Sequence, residues 1–213
     1  MYLLEQLING ICQGSIYALM AIGYAVIYGV VGLVTFTYGE IIMMGSFSAF
    51  YYFILFGDNL FFALIAGFIT AAVVGIVVHK VCYQRFLDAP RYISLICTIG
   101  MSMFLKNFAT IVFGSEMKGM PSFLSGKFIE IGTIRVGYLQ LLIIGIVILL
   151  SLLLTLYLKK TRMGMKLRAV SQDKKAAALV GINVKTTTLI GNCIGCGLGG
   201  VAGILLGVYY NSV

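Results

Sequence analysis

The chain has 213 residues, of which 61% are hydrophobic and only 10% are charged. Soluble domains carry about 25% charged residues, so this composition places the chain in a lipid bilayer and excludes an ordinary soluble domain. The net charge of +8 does not indicate nucleic-acid binding, because the cations lie in short segments between apolar runs, where they orient a membrane protein.

A helix needs about 20 apolar residues to cross the hydrocarbon core of a bilayer. Charged residues divide the chain into runs of this length, so we predict an all-α membrane protein, a polytopic bundle of six transmembrane helices. The predicted spans cover residues 7–31, 38–56, 59–78, 93–113, 137–158 and 187–210. The region 7–56 has two interpretations: two helices with a tight joint, or one helix followed by a broken or re-entrant element around residues 35–40.

One acidic side chain, Glu40, lies at membrane depth, because the chain is uncharged over residues 6–39 before it and 41–57 after it. An acid in that position is a functional candidate, since burying it without a partner is costly. The alternative is an interfacial carboxylate that caps a broken helix, and both interpretations remain open. We therefore take Tyr38, Gly39 and Glu40 as a candidate path-lining or gating element.

Groups that could catalyse a reaction are scarce in this sequence. The single histidine, His79, lies at a predicted membrane edge, where we expect an interfacial role. Cys193 and Cys196 form a Cys-x-x-Cys inside an apolar run, which favours helix packing over metal or redox chemistry. The sequence contains no Walker motif, so a partner has to hydrolyse any ATP. We predict a protein that is not an enzyme, has no catalytic residues and binds neither a metal nor a cofactor.

Most of the positive charge lies in two segments, residues 79–91 and residues 159–185, and the second holds eight of the 15 Lys and Arg residues. Basic segments beside membrane spans stay in the cytoplasm, and two predicted spans separate these two, so we assign both to the cytoplasmic side. Residues 114–136 then lie outside, where alternating side chains in 128–136 predict a small β-hairpin. The amino terminus is also outside if 7–56 crosses twice.

The segment 159–185, called the basic loop below, contains a run of small residues that ends in a glycine. Orientation alone does not require that run or the apolar side chains after it, and an exposed apolar patch indicates a partner. We predict a short helix capped by Gly181. On this hypothesis a partner approaches both small residues Ala176 and Ala177 closely, and docks on five residues: Ala176, Ala177, Leu179, Val180 and Gly181.

The last predicted span carries five glycines spaced four residues apart: Gly191, Gly195, Gly199, Gly203 and Gly207. This spacing places them on one face of a helix, where another helix can approach closely, so we predict helix packing rather than ligand contact. A shorter stripe of the same kind, Gly10, Gly14 and Ala18, lies in the first span.

Four segments carry a resemblance that extends over essentially the whole chain: residues 7–19 (LINGICQGSIYAL), 38–41 (YGEI), 94–107 (SLICTIGMSMFLKN) and 161–183 (TRMGMKLRAVSQDKKAAALVGIN). In this order they resemble the LivH-type permeases, the membrane subunits of bacterial branched-chain amino-acid ABC importers. The family's Asn-Phe-Ala-His-Gly-Glu corresponds to residues 35–40, where this chain has TFTYGE. A role of that Asn or His is therefore not carried over.

The resemblance implies a multi-pass permease of the bacterial cell membrane that translocates Leu, Ile and Val. It implies four partners besides the lipid bilayer: two cytoplasmic ABC ATPases, a second homologous permease and an extracytoplasmic solute-binding protein. The basic loop would be the coupling loop, because the importer motif of two alanines and a later glycine corresponds to Ala176, Ala177 and Gly181, although Lys175 replaces its usual leading acid. Such permeases continue beyond Val213, so we expect a single permease domain over 1–213 that is truncated at its carboxyl end.

Three other functions remain open from the sequence. A related permease could carry urea, short amides or another small solute. An ion-coupled secondary transporter would need its intramembrane charges, Glu40 and Lys106, to act together. A structural or lipid-binding membrane protein is the third, and the apolar patch on the basic loop argues against it.

Overall fold

The structure is a computed structural model that describes residues 2–57, 59–86, 91–114, 116–120, 128–131 and 134–213. The helices are α1 Tyr2–Val31, α2 Tyr38–Phe56, α3 Leu60–Val78, α4 Arg91–Phe113, α5 Tyr138–Lys160, α6 Arg162–Gln172, α7 Lys174–Leu179 and α8 Val184–Tyr210. One π-helical turn, His79–Tyr83, continues α3 and is followed by a 3-10 turn, Gln84–Phe86. Six helices, α1 to α5 and α8, are long and apolar enough to cross a membrane, which confirms the predicted all-α polytopic bundle.

Helix α8 lies at the centre of the bundle, packed against α1, α2 and α3. In its most apolar stretch 72% of the residues are buried, against 17% in α4 and in α5. Its glycines allow this position, because a helix without side chains on one face lets its neighbours approach to backbone contact. Helices α4 and α5 lie at the periphery and present most of their apolar side chains outward.

The region 7–56 forms two helices separated by a non-helical segment, residues 32–37, called the joint below. Helix α1 ends at Val31, and Gly32 follows with a φ of +72°, a left-handed conformation that glycine adopts without strain. Side chains of the joint alternate between buried Thr35 and Thr37 and exposed Val34 and Phe36. The structure therefore supports the first interpretation, two helices with a joint between them.

At the opposite end of the bundle the chain closes over α8. Lys118 and Val213 exchange two backbone hydrogen bonds of 2.9 Å, and the Lys118 ammonium lies over the ring of Tyr51 on α2. Strands β1 Phe128–Ile131 and β2 Ile134–Gly137 pair antiparallel with Glu130 opposite Arg135. The predicted turn at 132–133 lies outside the described residues, so the hairpin as a whole remains a prediction.

Candidate functional site

Helix α2 begins inside the bundle rather than at its end. The Tyr38 hydroxyl donates a hydrogen bond of 3.0 Å to the backbone carbonyl of Met20 on α1. With about 1.5 Å of rise per residue, Met20 lies about 16 Å along α1 from its end at Val31. The first turn of α2 therefore lies beside the middle of α1 rather than beside its end.

The three residues predicted as a path or gating element face in different directions. Tyr38 is buried and fills the space between Gly23 of α1 and Gly199 of α8, where it acts as a packing wedge. Gly39 is exposed, and a Cβ placed on it would contact nothing within 4 Å. Glu40 is half-buried. The open face at this depth therefore contains Gly39 and Glu40 but not Tyr38.

Glu40 has one hydrogen-bond partner in the described chain. The hydroxyl of Ser102 donates to its Oε1 at 3.1 Å, and Ser102 is the middle residue of the 23-residue α4. This contact places the carboxylate beside the middle of α4. Lys106 lies one helical turn beyond Ser102 and is exposed, and no salt bridge joins it to Glu40. An intramembrane carboxylate held by a neutral hydroxyl remains available to a cationic group of a ligand.

The basic loop is ordered by hydrogen bonds at the ends of its helices. Thr161 caps α6 by accepting from the Gly164 backbone N–H at 3.0 Å, and Asp173 caps α7 by accepting from two backbone N–H groups. At the other end of α7, Gly181 has a φ of +82°, its N–H donates to Ala178, and the N–H of Ile182 donates to Ala177. This is a Schellman motif, so the predicted glycine cap is present and α7 is held as a defined helical turn.

The five residues predicted to dock a partner divide into two sets. Leu179 and Val180 are 89% and 75% exposed, and Ala176 and Gly181 are also exposed. Ala177 is only 3% exposed, because it packs against Val30 of α1 and against α6. The sequence-based expectation that a partner approaches Ala177 is therefore wrong, since its small side chain lets α7 lie close to the bundle.

A side-chain hydrogen bond joins the basic loop to the end of α1, directly before the joint. The Lys174 ammonium, at the first residue of α7, donates a hydrogen bond to the backbone carbonyl of Val31, the last residue of α1. A cation at a helix carboxyl end satisfies an unpaired carbonyl and interacts favourably with the helix dipole. No pattern in the sequence indicates this contact, because 143 positions separate the two residues.

Two buried polar residues near this contact also escaped prediction. His79, expected at the membrane interface, is only 3% exposed, because it extends the buried face of α3 one turn beyond Gly75, and its ring lies 5.6 Å from that of Tyr83. Tyr83 is equally buried. Both residues line a cavity together with Ser94 of α4 and Lys174 of the basic loop. The two cation-rich segments therefore meet at one end of the bundle.

The glycine stripe of α8 faces other parts of the chain along its whole length. A Cβ on Gly191 would meet Val30 and Leu167, one on Gly195 would meet the Gly23 carbonyl, and one on Gly199 would meet the Tyr38 ring. Further along, Gly203 abuts α2, and Gly207 abuts Met120 and Val213. On α1, by contrast, a Cβ on Gly10 or Gly14 would meet nothing within 4 Å.

Comparison with known proteins identifies relatives that match nearly the whole length of this chain. A family model described as "Branched-chain amino acid transport system / permease component" matches residues 6–213. The chain is 35% identical to the high-affinity branched-chain amino acid transport system permease protein LivH of Escherichia coli strain K12, over 100% of this chain and 73% of that protein.

Two further relatives extend the comparison. The high-affinity branched-chain amino acid transport system permease protein BraD of Pseudomonas aeruginosa is 35% identical over 99% of this chain and 72% of its own length. A probable branched-chain amino acid transport permease protein LivH of Methanocaldococcus jannaschii is 26% identical over 93% of this chain and 64% of its own length. No solved structure matches.

Proposed function

Because this chain belongs to the family of permease components of branched-chain amino acid transport systems, we propose that it is the membrane-spanning permease subunit of an ABC importer that carries Leu, Ile and Val into the cell. It is a multi-pass membrane protein of a family of transport subunits, which work with ATPase and solute-binding partners. The subunits of this importer are two cytoplasmic ATPases, a second homologous permease and an extracytoplasmic binding protein.

The observation that carries this proposal is the position of α7 between an exposed apolar surface and the joint. Leu179 and Val180 project from one side of this capped turn, where an ATPase can bind them. Lys174 on the same turn contacts the end of α1, which the six residues of the joint separate from α2. Movement of α7 during ATP-driven closure of the ATPases is thereby transmitted to the joint, which makes the basic loop the coupling loop.

The joint in turn leads directly to Gly39 and Glu40. A shift of the joint moves the first turn of α2 against α4, which breaks or forms the contact between Glu40 and Ser102. We assign Glu40 and Gly39 to the translocation path, with Tyr38 as the wedge that holds the first turn of α2 against α8. The carboxylate can attract the ammonium group of an amino acid within the membrane.

The coupling role is tested by replacing Lys174 with methionine, which keeps the length of the side chain and removes the ammonium. We expect Lys174→Met to retain ATP hydrolysis in the reconstituted complex and to lose at least 90% of leucine uptake, because the ATPases still bind Leu179 and Val180 while α7 no longer moves the joint. The matched control is Lys175→Met, since Lys175 is exposed and its neighbour carries the contact to Val31.

A second variant tests ATPase binding to the basic loop separately from the transmission of movement to the joint. Leu179→Asp places a charge on the exposed apolar surface, so we expect it to abolish both ATP hydrolysis stimulated by the binding protein and uptake, with normal membrane abundance. Ala177→Glu is unsuitable, because that side chain is buried against α1 and α6. If Lys174→Met and Leu179→Asp both transport leucine at the wild-type rate, the proposed coupling loop is wrong.

A further inference from the structure

A cavity lies at the end of the bundle where the two cation-rich segments meet. Its volume is about 390 Å³, within the range of about 300–1,000 Å³ that is usual for small-molecule sites. Its walls come from the end of α1, the joint, the π-helical turn after α3, the start of α4, the junction of α6 with α7, and α8. The cavity thus touches both the basic loop and the joint.

Two side chains on the cavity wall have polar atoms without a hydrogen-bond partner. His79 Nδ1 and Tyr83 Oη are both unsatisfied, although each residue is only 3% exposed. Thr35 and Thr37 of the joint lie within interaction distance of the Tyr83 hydroxyl, and Thr35 Oγ1 has no hydrogen-bond partner of its own. Leaving such groups unpaired destabilises the folded chain, so a molecule that hydrogen-bonds to them would gain affinity by satisfying them.

Three chemical kinds among the remaining wall residues bear on the ligand. Val31, Leu33 and Val170 form an apolar surface suited to an aliphatic side chain. Lys174 contributes an ammonium group that would attract a carboxylate. Asp173 and the carboxyl end of α1 favour a cation, because a helix dipole is negative at that end. Opposite charges beside an apolar surface complement a zwitterion with an aliphatic side chain.

We propose that this cavity is a cytoplasmic-face binding site for an aliphatic α-amino acid, the class that the proposed function assigns as the transported solute. The carboxylate accepts from Lys174 and from the hydroxyl of Tyr83, the ammonium group lies toward Asp173 and the end of α1, and the side chain packs on Val31 and Leu33. A bound amino acid contacts the basic loop and the joint together, so it holds them in one arrangement. Accumulated cytosolic amino acid therefore slows further import.

The proposal predicts binding that does not need the extracytoplasmic binding protein. Radiolabelled leucine is titrated into the purified complex of permeases and ATPases, without the binding protein, in a scintillation proximity assay. We expect saturable binding that isoleucine and valine compete for. Tyr83→Phe should lower the affinity at least tenfold, whereas Tyr52→Phe, a matched change on α2 away from the cavity, should leave it unchanged.

If the cavity holds only water, the Tyr83→Phe variant gives the opposite result. Tyr83→Phe would then remove an unsatisfied buried hydroxyl, raise the melting temperature and leave leucine binding unchanged. Gly29→Leu serves as a second variant, because Gly29 lines the cavity and its added Cβ would meet nothing within 4 Å. It should fill the cavity and abolish binding in a folded complex.

Leucine uptake by the same complex, with its binding protein added, is measured in parallel. Uptake without saturable binding in the first assay overturns the site and leaves the proposed function intact. Wild-type leucine affinity in both Tyr83→Phe and Gly29→Leu also overturns the site. An intact complex that does not import leucine, isoleucine or valine overturns the proposed function and, with it, the assignment of this ligand.

Discussion

Two glycine-bearing faces, one on α8 and one on α1, share the same spacing but have opposite surroundings. On α8, a Cβ at Gly195 would lie 2.6 Å from the Gly23 carbonyl oxygen, and one at Gly203 would lie 2.8 Å from the Ile42 carbonyl oxygen. On α1, Gly10 and Gly14 have nothing within 4 Å of the same position. Other helices of this chain pack on the α8 face, whereas no described residue packs on the two glycines of the α1 face.

The difference shows that a glycine stripe indicates close packing without identifying what packs there. The α8 stripe lets α1 and α2 approach the backbone of α8, and α3 packs against two other glycines, Gly197 and Gly200, so α8 lies at the centre of the bundle. The α1 stripe has no counterpart among the described residues, and we assign it to the second permease subunit of the proposed importer. The two stripes should therefore respond differently to the same substitution.

The largest effect is expected on the α8 face. Gly195→Leu drives a branched side chain into the backbone of α1, which cannot move away without separating the two helices. We expect the yield of monodisperse protein in size-exclusion chromatography to fall at least fivefold. Gly100→Leu on α4 is the matched control, because its Cβ would meet nothing within 4 Å. Equal yields for the two variants would contradict the central position of α8.

An intermediate effect is expected on the α1 face. It is measured as co-purification of the second permease rather than as protein yield. Gly14→Leu has no neighbour to clash with inside this chain, so the isolated subunit should keep its wild-type yield. In the complex, the same side chain would separate α1 from the second permease. Co-purification of that subunit should drop at least fivefold, and Gly100→Leu again serves as the control. Normal co-purification would mean that the α1 stripe faces lipid.

The smallest effect concerns a polar contact beside the α8 stripe. The side-chain amide of Asn192 donates to the Gly75 carbonyl of α3 at 2.8 Å, and Asn192 is buried. Hydrogen bonds between membrane helices contribute about 0.6 kcal/mol on average and rarely as much as 2. We expect Asn192→Leu to lower the melting temperature by only a few degrees. A loss as large as that of Gly195→Leu would mean that polar contacts, rather than the glycines, hold α8.

Much of the fold follows from the sequence, because charged residues delimit spans and the glycine spacing is regular. The predicted span 38–56 coincides with α2, and the predicted cap at Gly181 is present. Contacts between distant segments carry no such periodic signal. Whether Ala176 or Ala177 faces the bundle depends on the rotation of a six-residue helix, which a run of three alanines leaves undetermined.

The candidate site was predictable only in part for the same reason. Glu40 is recognisable as an acid in a long apolar region, but its partner Ser102 is 62 positions away. His79 was misplaced because its position at the end of an apolar run does not show which face of α3 it extends, and that face is buried in the bundle. The contact from Lys174 to Val31 could not be predicted, because it forms only when the basic loop folds against the end of α1.

The central position of α8 also sets the order of events during synthesis. Helix α8 begins 153 positions after α1 ends, from Val31 to Val184. At about 5–20 residues per second, a ribosome needs roughly 10–30 s to make that interval. During this time α1, α2 and α3 are in the bilayer without the helix that they pack around. The nascent chain therefore waits with its core surface exposed to lipid or to an insertion chaperone, and delayed translation before residue 184 should increase its degradation.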